Sequence, residues 1–134
     1  MHARRMTNGS TRVLFLTTVA ALASAIGCFA LALPAQLLES KGARADPVAM
    51  IWVREVGVLL LALGVTTFLL RKHEDSPTLR AFMLGNALLH VGIFPVEIFG
   101  VAQGVLGKAS GIVPNSILHV VLASAFLYFA RRRS

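Results

Sequence analysis

Four stretches of this 134-residue chain are apolar for about twenty residues each, and no other feature limits its fold so strongly. They run from about Val13 to Leu33, Val48 to Leu70, Leu79 to Gly100 and Val113 to Ala130. A helix rises about 1.5 Å per residue, so each stretch is near the length needed to cross a hydrocarbon layer of roughly 30 Å. Inside that layer every backbone N–H and C=O must be satisfied within the protein, which favours helices. Charged residues make up only 14% of the chain, against about 25% in an ordinary soluble protein. The expected fold is all-α: a single four-helix transmembrane bundle over residues 1–134, antiparallel and up-and-down.

The net charge of +7 and a pI near 11.2 raise the possibility of a nucleic-acid partner. The basic residues do not form a binding face, however. They sit at the ends of apolar runs, without interleaved aromatics or a nucleic-acid motif, so no nucleic acid is expected. They separate by side instead. Arg4, Arg5, Arg12, Arg71, Lys72, Arg80, Arg131, Arg132 and Arg133 fall on one side, and Lys41, Arg44 and Lys108 on the other. Nine against three, with Arg54 inside a span, puts both termini in the cytoplasm of a multi-pass inner-membrane protein.

The first run also carries features of a signal peptide, with basic residues ahead of it and Ala30-Leu31-Ala32 as a small-x-small pattern. Its apolar core exceeds the usual 7–15 residues, which favours retention as a span. Ala20, Ser24, Gly27 and Cys28 make one side of it small, as do Gly57 and Gly64 in the second run, so close helix contacts are expected there. Cys28 is the sole cysteine and reads as a packing residue.

The connection from Pro34 to Ala49 is polar, with room for a short helical turn at its start and Asp46-Pro47 as an N-terminal cap for the second span. Trp52 falls at an interfacial position. A short charged turn from Arg71 to Pro77 implies that spans two and three pack as antiparallel neighbours. Pro95 is expected to kink span three locally. Val101 to Gly111 reads as a membrane-hugging loop, with Pro114 in the first turn of span four.

Within the third run, Asn86, His90 and Glu97 lie four and seven residues apart, within about 40° on a helix turning 100° per residue. Ionisable groups against lipid are costly, so this stripe should face other helices. Counting inward from the outer helix ends puts Arg54 at roughly 9 Å, Glu97 at roughly 5 Å and His119 at roughly 9 Å. His90 and Asn86 come out at roughly 15 and 21 Å. Arg54, Glu55, Asn86, His90, Glu97 and His119 are therefore the candidate ligand-binding residues, with Arg54 or His119 as the expected partner of Glu97.

These residues admit several functions. They can be a purely structural network of paired charges and hydrogen-bonding polar groups. They can line a cavity for a small or lipophilic ligand. Two histidines on neighbouring spans also have the composition for axial ligation of a b-type haem. A metal site from Glu97, His90 and His119 lacks any dedicated ligand motif. The small helix faces also suit a partner membrane protein, as in a subunit of a larger complex, beside the lipid bilayer itself. No nucleophile and base can be paired from spacing, which leans against an enzyme. With Arg-Glu opening span two, a charged turn, Asn and His in span three and His in span four, the layout resembles small bacterial four-span membrane proteins of unknown function. That resemblance covers most of the chain and implies no catalytic residue.

Overall fold

The computed structural model describes the backbone from His2 to Arg132 and the side chains from Gly9 to Arg132. Arg133 and the side chains of Arg4 and Arg5, counted above for topology, lie outside the described residues. Among the described residues five helices follow one another: α1 (His2–Ala32), α2 (Pro34–Ser40), α3 (Pro47–Leu70), α4 (Pro77–Ala102) and α5 (Ala109–Arg131). Four helical stretches have the length and hydropathy to cross a membrane: Gly9–Ala32 of α1, α3, α4 and α5. The protein is an all-helical, four-span bundle, and its outward apolar faces suit contact with a lipid bilayer.

Local chemistry sets the helix starts. The Asp46 carboxylate accepts from the Ala49 N–H at 2.9 Å, and Pro47 takes the first helical position, where a missing N–H costs nothing. Ser76 and Pro77 repeat that arrangement at α4, with the Ser76 hydroxyl accepting from the Leu79 N–H at 3.1 Å. The short turn of helix expected after Pro34 is α2.

α3 lies antiparallel along α1 through their small faces. Gly27 of α1 abuts Gly57, and Ala20 and Ser24 abut Gly64. A Cβ built on Gly57 would stand 2.9 Å from the Gly27 carbonyl oxygen, and one on Gly27 would stand 2.8 Å from that of Gly57. No side chain fits between these backbones. α4 and α5 form the second close pair. The expectation that spans two and three would be packed neighbours is corrected, because α3 and α4 make little contact. Six connecting residues can reach about 20 Å when extended, so a short turn limits separation without enforcing contact. The glycine faces draw α3 to α1 instead.

The two pairs join where α1 starts and α5 ends. Leu16 and Val19 of α1 pack with Leu79, Met83 and Ala87 of α4 and with Phe126 and Ala130 of α5. Phe15 meets Phe126 edge-on at 5.0 Å and stacks on Phe129 at 5.1 Å. The Arg12 guanidinium donates to the His73 carbonyl at 2.8 Å, tying α1 to the turn after α3. At the opposite end the Lys41 carbonyl accepts from the N–H groups of Gly107 and Lys108, each at 3.1 Å. Gly42, at φ +74°, supplies the left-handed turn that brings residues 40–42 onto that loop.

The boundaries around the last loop move. α4 continues to Ala102, running through Pro95 as one helix, and α5 starts at Ala109, so the loop shrinks to residues 103–108. Pro114 is therefore inside α5 and not in its first turn. It removes a bond only from the carbonyl of residue 110, and Ser110 is exposed at the helix end.

Candidate functional site

The α4–α5 hairpin gathers most of the ionisable and amide side chains expected to matter. Glu97, only 5% exposed, faces α5 near the loop end of the hairpin. Its Oε1 accepts from Asn115 Nδ2 at 2.6 Å and its Oε2 from Ser116 Oγ at 2.8 Å. A third donor comes from outside the hairpin: Lys41 Nζ reaches Oε1 at 2.6 Å. A carboxylate inside a membrane bundle needs compensation of this kind, since an unpaired charge there is costly.

Further from the loop, His90 of α4 and His119 of α5 are in direct contact, with Nδ1 to Nδ1 at 2.8 Å and ring centroids 5.0 Å apart. One ring must donate and the other accept, so the bond requires one lone pair and breaks if both rings are fully protonated. The face of His90 stacks on Phe126 at 5.8 Å, which locks its orientation to the core. Both Nδ1 atoms are used in this pair, and the two Nε2 atoms make no hydrogen bond among the described residues.

One turn beyond His90, Asn86 is 4% exposed. Its Nδ2 donates to the Phe82 carbonyl at 2.9 Å, while its buried Oδ1 has no hydrogen-bond partner. Glu97, Asn115, Ser116, His119, His90 and Asn86 thus form a polar track along one hairpin, met at its loop end by Lys41.

Arg54 and Glu55 do not join it. Both are exposed on α3, and neither makes a hydrogen bond or ion pair among the described residues. Of the two partners expected for Glu97, Arg54 or His119, neither is among its donors, and the Arg54 alternative is corrected: similar depth on two helices does not bring side chains together when those helices belong to different pairs. Lys41 takes that place. Sequence reasoning assigned Lys41 only to the polar connection, because nothing local shows that residues 40–42 fold back onto the 107–111 segment. Asn115 and Ser116, one helical turn before His119 on the sequence, carried a visible signal as polar residues in an apolar run.

Comparison of the chain with protein-family models, with curated proteins and with solved structures finds no match. The site must be read from its own chemistry. A haem held between His90 and His119 does not fit this arrangement, because a macrocycle and its iron must separate the two ligating nitrogens, whereas these rings bond to each other directly. No group of three His, Cys, Asp or Glu side chains placed to hold a metal occurs among the described residues. A groove running from Thr17 and Ser24 of α1 to Gly64 and Phe68 of α3 shares none of the candidate residues.

Proposed function

We propose that this is a multi-pass inner-membrane protein that binds a small or lipophilic ligand by a polar head at Asn86, His90 and His119. The observation that carries this reading is the buried, unpaired Oδ1 of Asn86. A buried acceptor without a donor costs about 1–3 kcal/mol. A ligand with a hydroxyl or amide N–H would supply that donor, and a histidine Nε2 one turn away offers a second polar contact. The apolar helix faces around them suit an uncharged, lipophilic body. Glu97, fully met by its three donors, holds the outer end of the hairpin in place and stands apart from the ligand.

The test is what the purified protein carries. Wild-type and Asn86→Leu protein would be isolated from membranes in mild detergent, extracted and compared by mass spectrometry. A small molecule retained near one equivalent by the wild type, and at least tenfold depleted in the similarly sized Asn86→Leu variant, is the expected result. Retention by neither form, or equally by both, would overturn the reading.

The orientation belongs to the same proposal. The charge asymmetry supports placing the Arg12, His73 and Arg131 end of the bundle in the cytoplasm. Reporter fusions after Arg133 should be active only as cytoplasmic reporters, and insertions within Gly42–Ala45 only as periplasmic ones. The reverse pattern would invert the protein.

A further inference from the structure

α3 turns its glycine face to α1 and leaves its other side uncovered. On that side Ile51, Glu55, Val58, Ala62, Val65 and Leu69 follow one another at intervals of 4, 3, 4, 3 and 4 residues, and all six are exposed. Such spacing lines up one narrow seam on a helix and is the repeat by which two helices interdigitate. The seam lies within a broader exposed face that also includes Val48, Trp52, Val56, Leu59, Thr66 and Phe68, so the spacing alone does not separate a helix partner from lipid. Lipid does not explain Arg54 and Glu55, which sit within this surface about two turns from the start of α3, exposed and unpaired among the described residues. Charged groups inside a span ordinarily face protein or water and pair with one another. As sequence neighbours 100° apart on the helix, they cannot face each other.

We infer that this seam is a homodimer interface, in which α3 packs in parallel against α3 of a second copy. The charges specify that occupant. Arg54 and Glu55 lie on either side of the seam's axis, at nearly equal depth. A two-fold axis along the membrane normal brings the left side of one helix against the right side of its partner. Arg54 of each copy then meets Glu55 of the other, giving two reciprocal ion pairs from one arginine and one glutamate per chain. A self-complementary patch is the signature of a two-fold interface. Glu55 takes a core position of the repeat with Arg54 flanking it, so the pairs also set the register of the two helices.

Charge reversal tests this without relying on a single variant folding. The Arg54→Glu chain carries two adjacent carboxylates and the Glu55→Arg chain two adjacent guanidiniums. Each alone should lose dimerisation in lipid nanodiscs or by FRET in vesicles, by on the order of tenfold to a hundredfold. Mixed together, the two chains should restore a heterodimer, which a misfolded variant would not do. In a Cys28→Ser background, Val58→Cys should oxidise to a linked dimer, and Leu88→Cys, exposed on α4, should not. A monomeric wild type, with Arg54 and Glu55 reaching the headgroups, would overturn the inference. So would single variants that dimerise like the wild type, failure of the mixture to pair, or equal cross-linking at both cysteines.

Discussion

Replacing Lys41 with methionine is expected to cost about 3 kcal/mol of bundle stability, more than removing its partner charge. Breaking a buried pair from one side leaves the other charge uncompensated, at 3–5 kcal/mol in general. Lys41 is one-quarter exposed at the membrane surface, which places the effect at the lower end of that range. The remaining Glu97 carboxylate would keep only the neutral donors Asn115 and Ser116. Glu97→Gln is expected to be milder. It removes the buried charge, keeps an oxygen for one of those donors, and leaves Lys41 able to swing into the headgroup region. The double variant Lys41→Met, Glu97→Gln should therefore be more stable than Lys41→Met alone. Thermal unfolding in detergent measures all three. A double variant less stable than Lys41→Met would show that the ion pair is not what holds residues 40–42 to the hairpin.

Gly57→Leu is expected to separate α1 from α3 and to cost about 3 kcal/mol. Even a methyl group at this position meets the Gly27 carbonyl oxygen at 2.9 Å, and it also meets the Leu31 side chain at 3.0 Å. A backbone atom cannot turn aside as a flexible side chain can, so the whole helix must shift. Overpacking a well-filled contact typically costs 1–3 kcal/mol, and a leucine driven between two backbones falls at the top of that range. Gly85→Leu is the control: a Cβ there meets nothing within 4 Å, so the same change should be nearly neutral. Melting temperatures of the two variants in one detergent decide the matter. Similar losses at both positions would mean that the α1–α3 contact is not tight.

The contrast between Glu97 and Arg54 shows how far the chain could be read directly. Both are ionisable residues inside apolar runs, and both required a partner on the physics of lipid alone. For Glu97 the requirement was legible and half its solution was too, since Asn115 and Ser116 stand on the following span. Its third donor was not legible, because Lys41 arrives through a turn at Gly42 and backbone bonds to Gly107 and Lys108, none of which leaves a mark in local sequence. His90 and His119 were expected within about one turn in depth, and the hairpin brings them to 2.8 Å.

What the sequence by itself determined were the quantities set by solvent and by local geometry. Length and hydropathy demanded four helices. Asp46-Pro47 and Ser76-Pro77 started two of them, and the small residues of α1 and α3 marked the faces that meet. What only the tertiary structure decided was which helix lies beside which. Pairing α3 with α1, and not with α4, removed Arg54 and Glu55 from the hairpin's polar track and turned them outward. Local sequence is blind to that choice because it rests on non-local shape: two glycine faces approach backbone to backbone, and a six-residue turn is long enough to allow it.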